Sequence, residues 1–324
     1  MSVKKIILAG AIFFALSAAG FSKAKKSDTA NGKLKIVATI FPQYDWTREL
    51  LGENAGKVEL TLLVENGVDL HSYQPSIQDI AKISTADIFI FVGGESDAWV
   101  KAALKNTRNK NMTVINMMEI LGERVKAEEI KEGMQSNEDE EADDETEYDE
   151  HVWLSLRNAK YLSSVIADAI CQKDSANEDL YRANLASYVQ KLDSLDNRYT
   201  DVVKSGSKKT LLFGDRFPFR YLTDDYNLDY YAAFAGCSAE TEASFETVIF
   251  LSKKTDELGL NTVFKIESGD GKIARTIIQN CKNKNARVLA LNSMQSVTKT
   301  DIQAGETYIN IMKKNLEVLK EALK

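Results

Sequence analysis

Histidine, cysteine and positive charge are all scarce in this chain. Among 324 residues there are only 2 histidines and 3 cysteines, and 41 Lys and Arg face 48 Asp and Glu. Cys171, Cys237 and Cys281 cannot all pair, and their spacing is no zinc-ribbon pattern, so a disulfide-rich scaffold is excluded. They read as buried small hydrophobes, with a single disulfide as the alternative in an oxidising compartment. The net charge of -7 excludes a nucleic-acid partner, because phosphate binding needs a basic face. No H-E-x-x-H and no Gly-x-Ser-x-Gly occurs, which removes the common signatures of zinc proteases and serine hydrolases.

Long apolar runs are absent outside the N-terminus. There, Lys4-Lys5 precedes an apolar stretch from Ile6 to Ala19, and Ser22-Lys23-Ala24 offers a small-x-small cleavage site. That run is short for a membrane span and no stop-transfer segment comes after it. Residues 1–24 are therefore predicted to be a cleaved export signal, with an uncleaved anchor as the alternative, and 25–33 a flexible leader. No cysteine stands near the cleavage point, which argues against lipid attachment and for a chain free in the periplasm.

From Lys35 onward the chain alternates between strand and helix signals. Lys35–Ile40 is rich in branched residues and reads as a strand, followed by a turn at Phe41-Pro42 and a helix from Trp46 capped by Asp45. Further strands are expected at 58–64, 88–92 and 113–116, with helices at 77–84 and 96–105 between them. Residues 158–172 and 177–204 have helical apolar spacing. The second stretch lacks glycine and proline, and at 1.5 Å per residue it makes a helix about 40 Å long. From Thr210 the alternation restarts, with strands at 210–214, 228–234, 262–266 and 287–291 and a closing helix at 308–323. The expected fold is α/β: two similar lobes with mostly parallel sheets, 34–157 and 206–324, joined across 158–205 by one long rigid helix. Residues 123–150 break the rhythm. Ten acidic residues lie between Glu138 and Glu150, so 134–150 reads as a mobile acidic loop. It serves either as a solubilising spacer or as an electrostatic collector of cations.

Both histidines sit in short motifs at loops of the first lobe, after acidic residues: Asp69-Leu70-His71-Ser72-Tyr73-Gln74-Pro75-Ser76 and Tyr148-Asp149-Glu150-His151-Val152-Trp153-Leu154-Ser155. Neutral imidazole is the commonest protein ligand for zinc, and such loops are where open α/β sheets bind ligands.

These segments resemble the two histidine motifs of the zinc/manganese solute-binding proteins of ABC importers. The opening Val37-Ala38-Thr39 with Phe41-Pro42, Phe219-Arg220-Tyr221-Leu222, and Gly305-Glu306-Thr307-Tyr308 with Met312, Asn315 and Leu316 resemble further segments of that family, in order from about residue 34 to 324. The resemblance implies a metal cleft between the lobes, with His71 and His151 as the first two ligands. It departs from the family at the third, where Arg216 stands in place of a histidine or glutamate. Guanidinium does not coordinate metals, so Asp215 is the expected ligand and Arg216 a partner for a nearby carboxylate; the plainer alternative makes Asp215 a helix cap and Arg216 a surface charge. Asn292 stands where relatives carry an aspartate. Glu267 is expected to coordinate or to pair with Arg216. Glu240 and Glu242 match a segment that shapes the cleft, and Cys237 reads as structural, with thiolate ligation as the alternative.

The resemblance implies a monomeric periplasmic protein, not an enzyme. It would bind one Zn2+, with Mn2+ as the alternative, at high affinity and deliver it to the permease and ATPase of an ABC importer. A secreted zinc hydrolase and a metal-binding surface adhesin are the rival readings.

Overall fold

The computed structural model describes residues 32–65, 67–105, 107–135, 147–238 and 242–324. The export signal, most of the leader and residues 136–146 of the acidic stretch lie outside the described residues, as does Glu240.

Two four-stranded sheets, each wholly parallel, carry the architecture. In the first, β1 (Lys35–Ala38), β2 (Glu59–Leu62), β3 (Ile88–Phe91) and β4 (Thr113–Asn116) lie in the order β2-β1-β3-β4. Ile36 pairs with Leu60 on one side and Ile88 on the other. In the second, β5 (Thr210–Arg216), β6 (Asp229–Phe234), β7 (Thr262–Ile266) and β8 (Arg287–Leu291) repeat the pattern as β6-β5-β7-β8. The central β3 is Ile-Phe-Ile-Phe with every residue buried. Such a run, apolar without alternation, fits a parallel strand covered by helices on both faces.

Local caps set where the helices begin. Helix α1 spans Phe41–Leu51 and α2 spans Ile77–Ser84, where Ser76 accepts from the Asp79 amide and Asp79 answers back, a reciprocal cap that satisfies two orphan donors. Asp45 does not cap α1, contrary to the sequence reading. Pro42 falls in the first turn of that helix, where its missing N–H is harmless. Gln43 folds back instead, its Oε1 accepting from the amides of Thr39 and Ile40 at 2.9 and 3.3 Å. Asp45 is thereby carried inside the helix, where it accepts from the amide of Tyr308 at 2.7 Å.

The first lobe continues through α3 (Val100–Lys105) and α4 (Met117–Leu121) before α5 (Leu156–Lys173) and α6 (Glu178–Ser205). The last of these is the long helix expected from the sequence. It buries Tyr181, Tyr188, Leu192, Leu195, Tyr199 and Val203 on one stripe, each large side chain contributing roughly 2 kcal/mol of burial. The second lobe adds α7 (Arg220–Tyr226), α8 (Phe245–Glu257), α9 (Lys272–Asn280), a short α10 (Lys299–Gln303) and α11 (Tyr308–Ala322). Helix α11 packs back against α1 and α6, and the Trp46 and Tyr308 rings meet edge to face at 5.3 Å.

The larger of two apolar cores runs through both lobes from Ile36 to Leu323, a smaller one around Leu251 and Ile277 lies in the second lobe, and Lys33–Lys324 form one unit. Polar bonds tie the seam as well. Trp153 Nε1 donates to the carbonyl of Ser293 at 2.8 Å, and the Tyr308 hydroxyl donates to the carbonyl of Trp153 at 2.7 Å.

The ends of the acidic stretch differ from the sequence reading of a mobile loop. Gln135 donates its amide to the carbonyl of Ala233 at 2.9 Å, extending the edge of β6, and Ala127 bridges Tyr148. These backbone bonds hold both ends, whatever the composition between them.

Candidate metal centre

Parallel strands point their C-terminal ends the same way, and the loops leaving those ends converge. The loop after β2 forms a single 3-10 turn, Leu70–Ser72, because Asp69 caps it by accepting from the His71 amide at 3.0 Å. His151 enters a second such turn, Val152–Leu154, and Asp149 accepts from its amide at 2.8 Å. In both motifs an aspartate two residues upstream fixes the backbone of the histidine.

The two imidazoles meet. His71 Nε2 lies 3.2 Å from His151 Nε2. Their outer nitrogens are occupied, His71 Nδ1 by Ser96 Oγ at 2.7 Å and His151 Nδ1 by Asp149 Oδ1 at 2.9 Å. A ring that donates from Nδ1 presents its Nε2 lone pair, the arrangement that orients a metal-ligating histidine. Gln295 Nε2 stands 3.1 Å from His151 Nε2. Gly236 lies against the ring: a Cβ there would sit 2.9 Å from the Phe217 carbonyl and 3.2 Å from His151 Nδ1.

At 3.2 Å the two Nε2 atoms are close enough that a charge on one ring is felt strongly by the other. Burial, then the charge on His151, brings the His71 pKa down to about 3. Burial also pulls down on His151, but Asp149, Glu150 and Glu128 together raise it above the ordinary value. Protonation therefore favours His151, the fully buried ring, over His71. Glu150 is itself buried, with Oε1 accepting from the Ser96 amide at 2.9 Å and Oε2 3.7 Å from His71 Nδ1.

From the second lobe, Cys237 reaches this pair. Its Sγ and one ring nitrogen from each histidine all lie within 4.8 Å of one another, among the described residues the one such group of three or more His, Cys, Asp or Glu. Cys237 donates its amide to Glu128 Oε1 at 3.1 Å. Burial, reinforced by Glu128, Asp149 and Glu150, pushes the thiol far up, so without an ion it is neutral.

The second-lobe carboxylates expected from sequence are engaged elsewhere. Asp215 accepts from the amides of Arg216 and Ile266 at 2.9 and 3.2 Å. A register shift between Phe213 and Arg216 on β5 turns it onto the β7 backbone, over Gly269, where a Cβ would come within 2.1 Å of its Oδ2. Glu267 accepts from the Ser293 amide at 2.7 Å and from the hydroxyls of Ser293 and Ser296 at 3.0 Å. Neither belongs to the histidine group, and Glu267 does not pair with Arg216. Asn292 accepts from the Met294 amide at 2.7 Å and closes a turn after β8. Glu242 is exposed, and its contact is a backbone one, its carbonyl facing Gln135 Nε2 at 3.5 Å. Arg216 does find a carboxylate, crossing the seam so that Nη2 lies 2.6 Å from Asp69 Oδ2.

Known proteins resemble this chain over nearly all of its length. The profile of the family described as zinc-uptake complex component A, periplasmic, matches residues 36–322. The zinc-binding lipoprotein AdcA of Streptococcus pneumoniae is 30% identical over 98% of this chain, which spans 61% of that relative's length. The high-affinity zinc uptake system protein ZnuA of Bacillus subtilis is 28% identical, covering 98% of this chain and 97% of its own. The crystal structure of the Zn(II)-bound ZnuA-like domain of Streptococcus pneumoniae AdcA superposes with a TM-score of 0.69 at 27% identity, over 90% of this chain and 99% of that one. With its profile matched from the first strand to the last helix, and with two parallel-sheet lobes meeting at paired histidines, the chain belongs to the family of periplasmic zinc-uptake complex component A.

Proposed function

We propose that this chain captures zinc outside the cytoplasmic membrane, holds the ion at the seam of its lobes on His71 and His151, and hands it to the permease of an ATP-driven ABC importer. The observation that carries the reading is the pair of facing Nε2 atoms 3.2 Å apart, each ring oriented from behind by a hydrogen bond. Tetrahedral zinc with Zn–N bonds near 2.05 Å separates two such nitrogens by about 3.3 Å, so the rings stand almost where the ion needs them. The named roles of AdcA and ZnuA as zinc-binding and zinc-uptake proteins support the same cargo. The family's periplasmic description supports the compartment, and among the described residues no helix is long and apolar enough to cross a membrane.

The site favours zinc over manganese because Asp215 and Glu267 spend their oxygens on backbone and serine donors, and manganese wants oxygen-rich coordination. It favours carriage over hydrolysis because the buried carboxylates beside the histidines face Ser96 and the ring nitrogens. Titration of metal-stripped protein with zinc in competition with a chelator tests the reading. One zinc binds per chain, manganese does not displace it, and His71→Ala and His151→Ala each weaken binding by roughly 100-fold or more, beyond the loss of a mere supporting partner. Parent-like zinc affinity in both variants would remove the reading.

A further inference from the structure

The histidines account for one side of the ion, and Arg216 stands where a third nitrogen ligand would come from the second lobe. Its guanidinium is turned away to Asp69 and to the Ser238 carbonyl. What the second lobe does offer is the loop after β6. Gly236 allows that loop to press against the His151 ring, since any side chain there would meet the ring and the Phe217 carbonyl. The next residue, Cys237, is thereby brought to the two histidines, with its sulfur within 4.8 Å of a ring nitrogen of each.

The loop is fixed from the first lobe, where Glu128 Oε1 takes the Cys237 amide at 3.1 Å. By contrast, Cys171 and Cys281 are buried within helical packing, Cys281 with its thiol directed at the carbonyls of Ser252 and Ile277.

We propose that Cys237 is the second lobe's ligand to the cargo ion, as a thiolate completing a His71, His151 and Cys237 set. The inference rests on the zinc-carrying function proposed above. As the sulfur–metal bond forms, the thiol proton leaves to solvent and the ion's charge takes its place. A dipositive ion ionises a coordinating thiol outright, which overcomes the high pKa imposed by the acidic surroundings. Two imidazoles and a thiolate form a soft set that suits zinc and disfavours manganese. Gln295, 3.1 Å from His151 Nε2, stands at the remaining edge.

The test loads the intact, metal-stripped protein with Co2+ and records its absorption. A thiolate ligand gives the parent an intense sulfur-to-cobalt charge-transfer band in the near ultraviolet. Cys237→Ser loses that band and binds zinc roughly 100-fold more weakly. Cobalt bound by the parent without the band, or a band that persists in Cys237→Ser, overturns the inference and leaves the histidine reading standing. A parent that binds neither cobalt nor zinc overturns both. The parent spectrum needs no variant, so a Cys237→Ser protein that fails to fold does not remove the test.

Discussion

Arg216 on β5 and Asp69 on the His71 loop form an ion pair across the seam, with Nη2 2.6 Å from Oδ2. Asp69 also accepts from the His71 amide, so one carboxylate shapes the histidine turn and binds the opposite lobe. The Arg216 charge, with the hydrogen bond it makes, outweighs the burial of Asp69 and holds its pKa below the ordinary value. Because both side chains are mostly shielded, Arg216→Gln is expected to destabilise the metal-free protein by roughly 1–2 kcal/mol, below the cost of breaking a fully buried pair. Urea unfolding of Arg216→Gln, Asp69→Asn and the double variant measures the coupling. Additive losses would show that the pair contributes nothing beyond its separate members.

Asp149 holds His151 by both its amide and its Nδ1. Asp149→Asn keeps the shape but can present an amide N–H to the ring, disturbing the tautomer that bares Nε2. A loss of about 10–100-fold in zinc affinity with little change in melting temperature is expected. Calorimetric titration beside thermal unfolding separates the two effects.

Gly236→Ala places a Cβ against both the Phe217 carbonyl and the His151 ring. The ring must shift by a few tenths of an ångström, and a site held to tight tolerance loses affinity first. Zinc binding is expected to weaken roughly tenfold, the scale of a lost supporting contact. Unchanged affinity would show that the Cys237 loop moves freely relative to the ring.

Zinc uptake releases the His151 proton, because that ring titrates above its ordinary value in the metal-free protein. Below the His151 pKa, the ion competes with this proton, so affinity falls as pH falls, by roughly tenfold per unit for that proton alone. Titrations in buffers of different ionisation enthalpy count the protons released. A pH-independent affinity below about pH 6.5, the ordinary histidine value, would contradict the raised His151 titration.

Asp97 ties folding stability to pH. Burial, against hydrogen bonds from the amides of Gly93 and Val92, pushes its pKa up to about 7. The folded state thus binds a proton that the unfolded chain releases near pH 4, and the resulting stability is complete below that point. It is lost as pH rises toward 7. Asp97→Asn keeps the acceptor oxygen and is expected to flatten this decline, by roughly 4 kcal/mol between the two ends of the window. Chemical denaturation of both proteins at the two pH values checks the sign.

Most of the fold was legible because parallel strands and long helices announce themselves locally. The buried run at Ile88–Phe91 and the stripe ending at Val203 needed no tertiary knowledge. The His71 and His151 turns were legible for the same reason, since each is fixed by an aspartate two residues away. The second lobe's side of the site was not. Asp215 stands at a strand end as expected, but a register shift in β5 decides where its carboxylate points. Glu267 met serines 26 and 29 residues further on. Cys237 depends on Glu128, 109 residues earlier, and on space beside a ring from the other lobe. No local pattern carries that information. Asp45 shows the converse error, a good capping residue overridden by Pro42 in the first turn and Gln43 folding back.

Tyr308 is bound at both ends, its amide to Asp45 and its hydroxyl to the Trp153 carbonyl. With Trp153 in turn held by Ser293, a wide clamshell motion would have to rupture several buried bonds, each exposing an unsatisfied group. Loaded and empty forms should then present nearly the same silhouette to a docking partner. A partner distinguishing them would have to sense a few side chains around the ion, and an ion leaving the site would slip past a loop without the lobes parting.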